Sequence, residues 1–170
     1  PPEDAYSWTR SVTAAPEQPV YVEIGFEQGV PALLNGRERG ASALLTELNT
    51  LAGEHGVGRI DHIEDRLVGI KSREVYEAPA ATVLLQAHAA LESLTLSRQQ
   101  LRFKEGVAQE YAALIYDGLW FSAMRHDLDA YVESTQRFVS GKVRVKLLKG
   151  AATVVGRRAP HSLYNHGLAT

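Results

Sequence analysis

Apolar residues recur at every second position near both ends of this chain and at every third or fourth position between them, and that change of period limits the fold more than any other feature. Val20, Val22, Ile24 and Phe26 alternate with Tyr21, Glu23 and Gly25, the pattern of a half-buried strand. Gln28-Gly29 turns the chain into a second strand at Val30–Leu34. Asn35-Gly36, two residues that tolerate positive φ, closes it. From Ser42 the period becomes helical through Leu44, Leu45, Leu48, Leu51 and Ala52, with Ser42 as the expected N-cap and Gly53 or Gly56 as the stop. Residues 57–63 and 67–71 read as two further strands around an acidic corner at Glu64-Asp65.

Pro79 is placed to start a helix through Leu94, with Val83, Leu84, Ala87, Leu91 and Leu94 as one apolar stripe. Helical patterns follow at residues 98–116 and 124–139, the last ended by Gly141. Val143, Val145 and Leu147 then alternate with Lys142, Arg144 and Lys146, and Lys149-Gly150 turns that strand into residues 151–155. The order ββαββαααββ contains no regular βαβ alternation, so it predicts an α+β fold with an antiparallel or mixed sheet and amphipathic helices. Pro1, Pro2, Pro16 and Pro19 fix φ and bias the residue before them away from helix. Residues 1–19 therefore read as an N-terminal arm or linker and 20–170 as the domain.

Composition removes several classes of function. Eighteen Lys and Arg against 20 Asp and Glu leave no excess positive charge to draw in nucleic acid or anionic lipid. With no Cys there is no disulfide framework, zinc ribbon or thiol nucleophile, which suits a reducing cytoplasm. The apolar runs are too short to span a bilayer. The histidines (His55, His62, His88, His126, His161 and His166) form no HExxH and no i, i+4 pair. Gly53, Gly56 and Gly58 follow a helix and open a strand, the reverse of a phosphate-binding loop, so a helix cap and a tight connection are expected there. His88 reads as a partly buried, hydrogen-bonded helix residue. Trp120 and Phe121 read as core at a helix end, and Lys142, Arg144 and Lys146 as a solvated strand face.

Residues 55–79 are harder to set aside. Arg59, Arg66, Lys71 and Arg73 are interleaved there with Asp61, Glu64, Asp65, Glu74 and Glu77. So many opposed charges in paired strands are compatible with a site for an amino acid or another zwitterion, and more simply with a solvated hairpin.

The same stretch, read as HGVGRID, IEDR, VGIKSRE and YEAP, resembles the corresponding run of argininosuccinate synthases. YVEIGFEQGVPALLNG upstream, and AHAALESLTL, YAALIYDGLWFS, GRRAPHSLYN and GLAT downstream, extend the resemblance over essentially residues 6–170. It implies a ligase that uses ATP with Mg to adenylate the ureido oxygen of citrulline, after which the aspartate amine displaces AMP. The products are argininosuccinate, AMP and pyrophosphate. By the resemblance Glu64 and Tyr76 are citrulline-binding residues, twelve positions apart as in the family, and no catalytic, cofactor or metal-binding residue is carried over. Asp65 and Glu74 depart from the Asn and Gly common in the family, which predicts extra carboxylate repulsion beside Glu64.

These 170 residues contain no SGGxDT-like loop, nor the serines and the tail helix that complete the family's citrulline pocket and tetramer. The expectation is a C-terminal substrate-binding and oligomerisation domain, inactive alone and binding no cofactor itself. Its partners would be citrulline, aspartate, a separate nucleotide-binding half and further copies of itself. The alternative is a non-catalytic scaffold that keeps the fold.

Overall fold

The computed structural model describes residues 1–168, so Ala169 and Thr170 of the GLAT run lie outside the described residues. Among the described residues seven strands form two antiparallel sheets. Strands β1 (Val20–Glu27), β2 (Val30–Leu34), β3 (Arg37–Glu38), β6 (Gly141–Leu148) and β7 (Ala151–Arg158) make a sheet of order β3-β2-β1-β6-β7. Among the described residues, strands β4 (Arg59–Asp65) and β5 (Lys71–Glu77) pair only with each other. Helices α1 (Ala41–Glu54), α2 (Pro79–Thr95), α3 (Arg98–Tyr116) and α4 (Ala123–Gln136) complete an α+β fold in the expected order, with β3 added.

The period-2 residues of β1 and β6 meet across the centre of the large sheet, where Val22 pairs with Val145 and Ile24 with Val143. All four are fully buried, together with Leu44, Leu48 and Ala52 of α1 and Val83, Ala87 and Leu91 of α2. Two helices thus cover one face of the sheet. On the other face Lys142 pairs with Glu23 at 3.2 Å, and the Arg144 guanidinium lies 4.7 Å from the Tyr21 ring centre. That is the solvated strand face expected of the basic residues. The hairpin turns Gln28-Gly29, Asn35-Gly36 and Lys149-Gly150 all have positive φ at both positions, matching the right-handed twist of the strands they join.

Some boundaries differ from expectation. Gly40, not Ser42, precedes α1, and Gly56 (φ +75°) lies just past its end. The second hairpin strand runs over Lys71–Glu77, because the chain reverses at residues 66–70. There the Arg66 N–H donates to the Ile70 carbonyl and the Gly69 N–H to the Arg66 carbonyl, with Gly69 at φ +84°. Leu67, Val68 and Ile70 are therefore an exposed tip rather than a strand. Helix α4 stops at Gln136, leaving Val139 in the core and Gly141 to open β6.

Trp120 and Phe121 are not core. They are 47% and 89% exposed, because α3 and α4 stand off the main body and bury only Val107 on α3 and Leu128, Thr135 and Gln136 on α4. Leu101 of α3 packs against the core, and polar groups tie the pair to α2 as well. The buried Glu92 of α2 accepts a hydrogen bond from Gln136 Nε2 (2.8 Å) and an ion pair from Lys104 Nζ (3.3 Å), while Gln136 Oε1 meets His88 Nε2 at 2.9 Å. Among the described residues no helix is long and apolar enough to cross a membrane.

Candidate functional site

The β4–β5 hairpin sorts its charges by face. Paired residues of an antiparallel ladder point to the same side, and the register Arg59↔Glu77, Asp61↔Val75, Ile63↔Arg73 and Asp65↔Lys71 defines one of them. On that side Arg73 forks onto the Asp61 carboxylate and Lys71 Nζ sits 2.6 Å from Asp65 Oδ1. The opposite side carries Ile60↔Tyr76, His62↔Glu74 and Glu64↔Ser72.

On this second side Tyr76 leans along the hairpin past His62, whose ring it meets edge-on at 5.5 Å, and its hydroxyl donates to Glu64 Oε2 at 2.8 Å. The two residues singled out by the family resemblance are thus bonded to each other. Tyr116, at the end of α3, places its hydroxyl 3.1 Å from Glu64 Oε1 and 3.0 Å from the Asp65 carbonyl. His62 Nε2 is 3.7 Å from Glu64 Oε2. Glu64, Arg66, Leu67, Val68, Tyr76 and Tyr116 enclose an open cleft of about 370 Å³, within the roughly 300–1,000 Å³ usual for small-molecule sites.

Hydrogen bonds from Tyr76 and then Tyr116 favour the ionised Glu64 and hold its carboxyl below the usual carboxylate range, with His62 and Arg66 adding to the effect. The Tyr76 hydroxyl is pushed up, first by its bond to Glu64. Tyr116 is pushed up by burial and then by the same carboxylate. At neutral pH the corner is therefore one fixed anion flanked by two protonated phenols.

The base of the hairpin is clamped to the N-terminal arm. Both Glu77 oxygens accept backbone N–H groups, from Ser7 (2.8 Å), Trp8 (3.0 and 3.1 Å) and Thr9 (2.7 Å), and the Thr9 hydroxyl adds a bond of 2.6 Å. Arg59 donates to the Thr9 hydroxyl and carbonyl and to both oxygens of Glu3, with Tyr6 stacked on its guanidinium at 3.8 Å. Irregular as it is, the arm buries Thr9 and Ala15.

The glycines between α1 and β4 are occupied by packing. A Cβ at Gly53 would collide with the Trp8 carbonyl oxygen, and one at Gly58 would lie 2.5 Å from Pro79. His55, which opens the charge-rich segment, is buried at the end of α1 and its carbonyl accepts the Gly150 N–H at 2.7 Å. The glycines here serve the helix stop and the tight connection into β4 that the sequence predicts.

A family model described as the arginosuccinate synthase C-terminal domain matches residues 1–170 of this chain. The chain belongs to the argininosuccinate synthase family. It is 59% identical over all 170 residues to the argininosuccinate synthase of Dehalococcoides mccartyi, and 58% identical to those of a Synechococcus species and Rubrobacter xylanophilus. It spans 42% of the length of each of these relatives.

Both departures from the argininosuccinate synthase pattern have cationic partners. Asp65 is paired with Lys71, and Glu74 accepts from Arg66 Nη1 (3.2 Å) and the Ser72 hydroxyl (2.7 Å). The repulsion expected beside Glu64 is offset within the hairpin. Neither Tyr116 nor the Glu77 clamp follows from the local sequence pattern, because each joins residues far apart in the chain.

Proposed function

We propose that this chain supplies part of the citrulline site of an ATP-dependent ligase that joins citrulline to aspartate, releasing argininosuccinate, AMP and pyrophosphate. The observation that carries the reading is the Glu64 carboxylate, held anionic at the wall of a cleft by tyrosine hydroxyls, at the position the family resemblance assigns to citrulline. An α-ammonium brings three donors and a full positive charge, which a fixed carboxylate matches. Tyr76 offers a hydroxyl to the polar end of the substrate and a ring face to its aliphatic part. These roles orient citrulline and transfer no proton. ATP and its Mg would be bound by parts of the ligase other than these residues, and the reaction would run in the cytoplasm.

Contact between copies of the ligase through this domain is part of the proposal. Leu119, Trp120 and Phe121, exposed beyond the end of α3, favour a face that meets another protein surface. The same surface would serve a non-catalytic scaffold, so substrate kinetics separate the readings. In the full-length ligase carrying this domain, Glu64→Gln keeps the shape and an acceptor for the tyrosines while removing the charge. It should lower kcat/KM for citrulline roughly 30-fold or more, the scale of a lost charge-assisted hydrogen bond, and leave the KM for ATP within about twofold. Equal losses toward citrulline and ATP, or no loss at all, would sink the proposal.

A further inference from the structure

We infer that Tyr116 is a positioning residue for Glu64, so that the end of α3 completes an ammonium-binding corner whose other members all lie on the β4–β5 hairpin. The inference rests on the citrulline reading of Glu64 given above. A glutamate carboxylate ordinarily turns easily about its last side-chain torsion. Here Tyr76 donates to Oε2 at 2.8 Å and Tyr116 lies 3.1 Å from Oε1, so any turn of the carboxylate breaks one bond or the other. The Tyr116 hydroxyl has a single proton and two acceptors in reach. The Asp65 carbonyl at 3.0 Å competes for that proton, and the charged oxygen of Glu64 at 3.1 Å is the stronger acceptor.

An ionised carboxylate accepts at about four lone-pair positions. One donor on each oxygen leaves about two for a ligand and fixes their direction. The bond also spans 52 positions of sequence and ties the end of α3 to a hairpin whose strands, among the described residues, pair only with each other. The end of α3 is itself held firmly: the Asp117 and Leu119 N–H groups donate to the Ala113 and Leu114 carbonyls, and Gly118 turns the chain at φ +73°. Around Glu64 the charged and titratable groups are His62 and Arg66 on β4 and its turn, Glu74 and Tyr76 on β5, and Tyr116 with Asp117 at the end of α3.

The test is Tyr116→Phe in the full-length ligase, which removes one oxygen and keeps the ring. Freed of one donor, Glu64 should bind citrulline less well, with the KM for citrulline rising about 5- to 20-fold and kcat staying within about twofold. Losing a hydrogen bond to its ionised form raises the pKa of Glu64, so the acid limb of kcat/KM against pH should move to higher pH. In a Glu64→Gln background the same change should have little further effect, because the two residues act as one unit. Additive losses in the double variant, or an unchanged citrulline KM and acid limb in Tyr116→Phe, would overturn the role of Tyr116. Those outcomes leave the citrulline reading standing wherever Glu64→Gln alone raises the citrulline KM. If Glu64→Gln does not raise it, the reading beneath both proposals fails.

Discussion

Glu77→Ala should release the N-terminal arm from the hairpin and cost about 2–3 kcal/mol of stability, after allowance for solvent near the clamp. The substitution leaves the Ser7, Trp8 and Thr9 N–H groups and the Thr9 hydroxyl without the carboxylate that accepts from all of them. Arg59, bonded to Thr9, loses the order of its partner as well. Hydrogen exchange at residues 7–9 should accelerate strongly while the buried amides of β1 and β6 stay protected; unchanged exchange at residues 7–9 would contradict the clamp. The pH dependence follows from the same bonds. Burial opposes ionisation of Glu77, but the donors from Thr9, Ser7 and Trp8 outweigh it and lower its pKa. Its contribution is therefore fully present above the unfolded glutamate value of about 4.3 and fades as pH falls through the lower folded value. Below about pH 4 the gap in stability between the wild-type chain and Glu77→Ala should narrow.

Leu48→Ala should cost about 2–5 kcal/mol, because Leu48 is fully enclosed among the residues of α1, α2 and the large sheet and its removal leaves a cavity as well as a transfer loss. Leu45 lies on the same helix but is 42% exposed, and Leu45→Ala should cost less than about 1 kcal/mol. Urea titration reads both, with an unchanged slope expected for each. Similar midpoints for the two variants would mean that α1 does not present its Leu44–Leu48–Ala52 stripe to the sheet.

The two substitutions probe different kinds of information in the chain. The Leu44–Leu48–Ala52 stripe was legible because a helix lying on a sheet imposes a local period. The turns at Gln28-Gly29, Asn35-Gly36 and Lys149-Gly150 were legible because few residues accept positive φ. Strand β5 was misplaced because Leu67, Val68 and Ile70 are apolar but project at a hairpin tip, whereas the true strand from Lys71 to Glu77 is mostly charged. Trp120 and Phe121 misled in the same direction: aromatic mass suggested burial where α3 and α4 leave them open. At the candidate site, composition left residues 55–79 undecided, and the resemblance supplied Glu64 and Tyr76. Tyr116 and the Glu77 clamp join residues 52 and 68–70 positions apart, a proximity that no periodicity encodes.

The central pairing of β1 with β6 sets a timetable for the ribosome. The β1–β2 hairpin needs only a two-residue turn and can form within microseconds of leaving the exit tunnel. Its neighbour β6 begins at Gly141, after both helices that cover the sheet and both that stand off it. Until that strand is translated, the edge of β1 carrying Val22 and Ile24 has no partner, and an unpaired apolar edge is where nascent chains associate wrongly. Slow codons anywhere between β2 and β6 would prolong that interval, while rapid synthesis of the same residues would shorten it. The yield of folded domain should therefore depend on the total time taken to translate the residues between β2 and the end of β6, the four helices included.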